Sequence, residues 1–243
     1  MEILSPKRKG SWILVSNISL NVEQVQQRVA AAALRAGRNP QDVTLIAVSK
    51  TRTVEEIRQV LAAGITHLGE NRVQELKEKW PSIGGQATWH LIGSLQTNKV
   101  TPALEMADLI HSLDRDSLAV QLAKVAERRG VPCKVLVEVH TSGEESKHGI
   151  DRAELPAFLR RVSALGSVEV QGLMTMAPQV DDPEQARPFL RLLRELAGQI
   201  REMQLPRVHM QHLSMGMSGD FEVAVEEGAT LVRVGTAIFG DRS

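Results

Sequence analysis

From Leu45 onward, short apolar runs alternate with segments whose apolar residues recur every three or four positions. The runs at 45–49, 67–69, 89–93, 109–113, 134–139, 169–174, 212–215 and 231–234 read as strands, being short and rich in Val, Ile and Leu. The segments at 54–63, 71–80, 98–107, 114–129, 154–165, 184–203 and 219–227 read as helices. The 184–203 segment places Phe189, Leu192, Leu193, Leu196, Ile200 and Met203 along one stripe. Eight strands alternating with helices predict a parallel sheet, and eight units in about 200 residues predict a single (β/α)8 TIM barrel. An open doubly wound sheet would use the same alternation, but no GxGxxG follows the first strand. The eighth helix is missing after strand eight, and the amphipathic segment 19–36 is expected to pack in its place. The domain expectation is one barrel over residues 1–243, with 1–16 as a loose N-terminal arm.

Barrel topology converts scattered residues into one candidate site. Active sites of such barrels lie at the C-terminal ends of the strands, and phosphate is often held by the loops after strands seven and eight. Here those loops carry Ser214, Gly216 and Ser218, then Gly235 and Thr236. Glycines let a ligand approach the backbone, and free amides and hydroxyls at a helix start suit phosphate. Plain turn chemistry is the simpler explanation of such residues taken alone. Lys50, just past the first apolar run, would ordinarily reach into solvent. At a barrel mouth it is instead a candidate Schiff-base amine, because partial burial favours the neutral form. A phosphate cradle beside such a lysine points to a phosphorylated aldehyde, with pyridoxal 5'-phosphate the obvious one. Asn71, His90, Gly93, Ser94, Ser112, Met174 and Arg233 are expected at the same rim.

Composition narrows the classes. The 243 residues are 42% hydrophobic and 24% charged, ordinary for a globular chain. Twenty-nine basic and 29 acidic residues cancel, so nothing favours nucleic acid or an anionic membrane as partner. Cys133 is the only cysteine, which excludes an internal disulfide and fits a reducing compartment. Its position at the start of an apolar strand reads as a small core residue. The apolar stretch at 11–15 is too short for a signal segment, and no run approaches membrane-spanning length, so the expected location is cytoplasmic. The histidines show no metal-ligand spacing, so no metal is expected. Met174, Met176, Met210, Met215 and Met217 read as barrel packing, and the Glu pairs at 55–56, 144–145 and 226–227 as solvated faces or loops. No exposed apolar stripe stands out, which makes a monomer the default.

AVSKTRTVEEI, HLGENRVQEL, WHLIGSLQTNK, IHSLDR, SKHGID, GLMTMAP and LSMGMSGDFEVAVEEGATLVRVGTAIFG, in this order, resemble the YggS/PROSC family of pyridoxal phosphate homeostasis proteins across roughly residues 19–242. The resemblance implies a barrel like the N-terminal domain of alanine racemase, with Lys50 carrying pyridoxal phosphate as an internal aldimine. It further implies that Ser214, Gly216, Ser218, Gly235 and Thr236 surround the phosphate, that Arg233 faces the pyridine nitrogen and that Asn71 lies near the ring. Arg52, Arg72, His140, Thr141 and His148 depart from the family pattern, and the departure at Arg52 weakens any lysine-exchange role there. Lys147 is a candidate second, transient amine, against the plainer reading of a solvated loop lysine.

Two readings of the chemistry follow. A racemase on this cofactor needs acid and base groups on both faces of the substrate, and in alanine racemase a tyrosine from a second domain serves one of them. This chain has no tyrosine. An arginine opposite the pyridine nitrogen cannot share a proton as a carboxylate does, so the ring would be a weak electron sink. The preferred expectation is a non-enzymatic protein that holds pyridoxal phosphate, limits its free concentration and releases or delivers it, with apo-enzymes that use the cofactor as recipients. The alternatives are a slow amino-acid racemase or related enzyme, with Cys, His or water as the missing acid, and a scaffold regulated by cofactor occupancy.

Overall fold

The computed structural model describes residues 3–6, 12–15, 17–142 and 149–240. Eight parallel strands close into a barrel: β1 (Thr44–Val48), β2 (His67–Glu70), β3 (Thr88–Leu91), β4 (Leu109–Leu113), β5 (Cys133–His140), β6 (Val168–Met174), β7 (Val208–Ser214) and β8 (Leu231–Val234). Each pairs with the next, and β8 returns to β1 with Leu231 opposite Thr44 and Val234 opposite Ala47. Closure leaves the barrel no free edge. Around it stand α1 (Asn17–Arg35), α2 (Val54–Ala62), α3 (Val73–Ile83), α4 (Val100–Met106), α5 (Asp116–Arg129), α6 (Leu155–Ser163), α7 (Arg187–Glu202), α8 (Phe221–Glu226) and the single turn α9 (Thr236–Phe239).

The expected substitution for the eighth helix is present. Val22, Val25, Val29, Ala32 and Ala33 bury one face of α1, which packs against α8, α9 and α2. Arg28 and Arg35 pair with Glu222 and Glu226 across the α1–α8 seam, and Arg38 donates to the Val225 carbonyl at 2.6 Å. Most apolar side chains lie between strands and helices. Inside the barrel, Ile46, Leu109, Leu136, Met174 and Leu231 form a small apolar plug. The rest of the interior is unusually polar: His90, His111, Ser214, Glu138 and Arg233 are all buried.

Several boundaries differ from the sequence expectation. β7 begins at Val208, four residues early, because Val208–Gln211 alternates between exposed and less exposed positions and carries no apolar run. α3 runs through Pro81 and ends at Gly84; so close to the helix end, proline removes one hydrogen bond without stopping it. Ile3–Pro6 and Trp12–Val15 pair as an antiparallel hairpin where an arm was expected, in a sheet separate from the barrel. A short strand, Ile150–Asp151, adds to Val139–His140. Glu227 is not solvated: Arg187, Arg191 and Arg194 of α7 enclose it at 3.0–3.1 Å and supply the charge that permits its burial. Cys133 is buried, and burial pushes its thiol up to about 12, as suits a core residue. Among the described residues no helix is long and apolar enough to cross a membrane.

Candidate functional site

A cavity of about 390 Å³ opens at the C-terminal ends of the strands. Lys50, Arg52, Asn71, Ser218, Arg233, Gly235 and Thr236 all line it, so residues nearly 190 positions apart in sequence meet at one mouth. Met176 and Met217, expected as packing, instead stand exposed on its lip beside Pro178 and Val180. Lys147 and His148 lie outside the described residues.

Lys50 follows β1 in a tight turn, half-buried, and among the described residues its amine has no hydrogen-bond or ion-pair partner. Its neighbours are held firmly. Lys79 Nζ donates to the Ser49 carbonyl and to Glu70 Oε1, both at 2.7 Å, and lies 3.3 Å from Glu75 Oε2. Ser49 Oγ donates to Glu70 Oε1 at 2.7 Å, and the Thr51 amide donates to Glu75 Oε2 at 2.6 Å. Thr51 takes a left-handed φ of 63°, a conformation costing about 1 kcal/mol or more that surrounding contacts must maintain. Burial raises the Glu70 carboxyl above its ordinary range, with Lys79 and Ser49 opposing. This clamp escaped the sequence reading. Its signals were a glutamate closing an apolar strand and a lysine in register with Leu76 and Ile83 on the buried face of α3.

The opposite wall is built from backbone. Ser218 Oγ accepts from the Gly235 and Ala237 amides, each at 3.3 Å. The amides of Ser218, Gly219 and Thr236 make no bond to the described residues. Gly216 is not on the cavity wall. It holds φ at 93°, and a Cβ there would sit 2.5 Å from Ala224 Cβ, so glycine lets the loop lie against α8. Ser214 is likewise behind the wall, fully buried, bonded to His111 and Arg233. His90 and Met174, expected at the rim, point into the barrel interior, while Ser112 donates to the Gly93 carbonyl at 2.7 Å.

Arg233 presents the main interior charge to the cavity. It is 4% exposed; its guanidinium donates to Ser214 Oγ and, at 2.9 Å, to the Thr175 carbonyl. Burial lowers it to about 10, with Asp220 and Glu138 opposing from a distance. Asp220 also lines the cavity, but it accepts from the Met217 amide at 2.6 Å, and burial raises its carboxyl. Asn71 Oδ1 is enclosed without a hydrogen-bond partner, an acceptor that a ligand donor would satisfy.

Residues 17–243 match the family model described as alanine racemase, N-terminal domain. A pyridoxal phosphate homeostasis protein of Aquifex aeolicus is 43% identical over 227 residues, covering 93% of this chain and 99% of that protein. The chain belongs to the pyridoxal phosphate homeostasis protein family. The relative of that name in Escherichia coli K12 is 38% identical, covering 94% of this chain and 98% of that protein. Among solved structures, PipY of Synechococcus elongatus with pyridoxal phosphate bound superposes with a TM-score of 0.78 at 40% identity, covering 89% of this chain and all of that one. Alanine racemase of Corynebacterium glutamicum shares the fold at a TM-score of 0.73 and 15% identity, over 94% of this chain and 62% of that one.

Proposed function

We propose that this member of the family holds pyridoxal phosphate covalently at Lys50 and keeps it from reacting freely. The observation that carries the reading is an unpartnered lysine amine, clamped on both flanks, in one cavity with Arg233 and with loops that leave three amides open. When bound, the cofactor supplies an aldehyde that condenses with an amine and a ring that withdraws electrons. The cavity residues fit that group: Ser218, Gly219, Gly235 and Thr236 for the phosphate, Arg233 for the pyridine nitrogen, and Asn71 for a ring donor. Ser214 and Gly216 would serve from behind, one holding Arg233 and the other shaping the loop.

Holding rather than turnover is favoured by what lines the cavity. Among the described lining residues the ionisable groups are Lys50, Arg52, Asp220 and Arg233. No histidine, cysteine or tyrosine stands there as a second proton donor, and the Asp220 carboxylate is occupied with a backbone amide. Release would then pass cofactor to other proteins as free aldehyde or by direct transfer to an apo-enzyme.

The test is the absorption spectrum of the purified protein before and after borohydride, with a peptide map of the reduced adduct. The adduct should map to Lys50 and vanish in Lys50→Ala with the fold intact. An adduct retained in that variant would overturn the assignment. Amino-acid racemisation well above the rate of free cofactor would overturn the holding role while leaving the site standing.

A further inference from the structure

The polar interior of the barrel is connected, and the connection ends on the cavity's arginine. His67 Nδ1 lies 2.9 Å from His90 Nε2, His90 Nδ1 lies 2.9 Å from His111 Nε2, and His111 Nδ1 lies 2.9 Å from Ser214 Oγ. Arg233 then donates to Ser214 Oγ. Five side chains from β2, β3, β4, β7 and β8 thus form one unbranched line across the barrel. It begins at half-buried His67, which lines a second cavity of about 280 Å³ at the foot of β1 and β2.

Donor chemistry gives this line a direction. A guanidinium only donates, so Ser214 must offer Arg233 a lone pair. The hydroxyl hydrogen of Ser214 then has His111 Nδ1 as its acceptor, and Ser214 is fully buried. A neutral imidazole that accepts at Nδ1 donates from Nε2. His111 therefore donates to His90 Nδ1, His90 donates from Nε2 to His67 Nδ1, and His67 keeps its own Nε2–H for the solvent side. The reversed line would bring an N–H to Ser214 Oγ and strand the hydroxyl hydrogen in the interior, a roughly five- to hundredfold disadvantage. Burial, reinforced by neighbouring positive charge, keeps both interior rings neutral: His90 is lowered to about 3 and His111 falls well below its ordinary range.

We infer that His67, His90, His111 and Ser214 are a directed hydrogen-bond line whose work is to position Arg233 in the cavity. Ser214 Oγ is one of two acceptors of that guanidinium, the other being the Thr175 main-chain carbonyl, and Ser214 is in turn oriented by His111 rather than by any group at the mouth. The histidines are positioning residues, not catalytic ones. The consequence for the bound cofactor rests on the function proposed above; the direction of the line and its hold on Arg233 do not.

The cofactor-free protein, uniformly labelled with ¹⁵N, tests the inference by NMR of its histidine and arginine side chains. In the wild type, His90 and His111 should be neutral and protonated at Nε2 alone between pH 6 and 8, and the Arg233 N–H signals should be resolved and slow to exchange. His111→Leu removes the acceptor of Ser214, whereas His111→Gln keeps an acceptor for Ser214 and a donor for His90. Arg233 signals should broaden or average in the Leu variant and persist in the Gln variant. Should His111→Leu fail to fold, Ser214→Ala removes the Arg233 anchor directly and should give the same loss. A charged or Nδ1-protonated interior histidine, or identical Arg233 signals in all variants, would overturn the inference. With pyridoxal phosphate added, His111→Leu should weaken affinity about tenfold, as for loss of one hydrogen bond from a charged donor, and His111→Gln should restore most of it. Affinity equal in His111→Leu and wild type would overturn the positioning role. A wild type that forms no adduct would sink the proposed function while the NMR result still decides the line.

Discussion

Lys79→Met is the sharpest perturbation of the Lys50 turn. Lys79 and Glu70 form a buried pair whose side chains are 9% and 0% exposed. Removing one member of such a pair leaves an uncompensated buried charge and costs about 3–5 kcal/mol, a large share of a total of roughly 5–15 kcal/mol. The variant also takes one of two donors from the Ser49 carbonyl, which keeps the Arg52 amide at 3.0 Å, and leaves the Glu70 carboxylate with Ser49 Oγ as its one remaining partner among the described residues. The sign with pH follows from Glu70. Its folded-state carboxyl already lies above the ordinary range through burial, and loss of Lys79 removes the main opposing influence. A group raised in the folded state is harmless while protonated and becomes costly as pH rises through its folded value. The deficit in urea unfolding should therefore be larger at pH 8 than at pH 5. The double variant Glu70→Leu with Lys79→Met should recover most of the stability, since apolar replacement of a buried pair is often neutral or better. It should nonetheless form the Lys50 adduct about tenfold more slowly, because the turn has lost its anchors and small misplacements of a reacting amine are expensive. A deficit below about 1 kcal/mol, equal deficits at the two pH values, or wild-type adduct kinetics in the double variant would refute the clamp.

Two further outcomes are expected. Glu138 is buried, and burial, then Asp114, raise its carboxyl to about 7 against the pull of Arg233. Its folded value exceeds the unfolded one, so stability associated with Glu138 is full at acid pH and lost as pH rises through about 7. Glu138→Gln should be more stable than wild type at pH 8, by up to about 3 kcal/mol, with the gap closing by pH 5 in matched urea titrations. Ser218→Ala removes the acceptor of the Gly235 and Ala237 amides. It should weaken pyridoxal phosphate about tenfold and leave pyridoxal, which lacks the phosphate, unchanged; equal losses for both ligands would place Ser218 away from the phosphate.

What was legible beforehand followed from local periodicity. The apolar runs marked all eight strands, and barrel topology alone brought Lys50, Asn71, Ser218, Arg233, Gly235 and Thr236 to one rim. The less legible parts depend on distant partners. No local pattern singles out Glu70 or Lys79, and each is buried because the other lies 2.7 Å away across a strand end and a helix. His90 is expected at the rim from its place near a strand end, and only closure of the barrel turns it inward and brings His111 to Ser214, 103 positions later. Gly216 and Ser214 were assigned to the cavity wall because sequence spacing shows that a loop is at the mouth but not which side of it faces inward.

Two of the three cations that line the cavity, Lys50 and Arg233, are held by opposite means, and the difference bears on the proposed function. Lys50 is aimed through its backbone: the clamp grips Ser49 and Thr51 and leaves the side-chain amine without a partner among the described residues, as the proposed covalent role requires. Arg233 is aimed through its side chain, by neutral acceptors. Ser214 Oγ and the Thr175 carbonyl take its hydrogens, and no carboxylate of the described residues reaches salt-bridge distance. A carboxylate in contact would offset the buried charge more directly, but it would also weaken the arginine's field at the cavity. Asp220 and Glu138 oppose the effect of burial on Arg233 from a distance, and the guanidinium's positive field is left facing the cavity. A cation so held cannot pass a proton to a ring nitrogen. With Arg233 opposite the ring nitrogen as proposed, the same interior would disfavour the protonated ring that strong electron withdrawal needs, which accords with the proposed holding role.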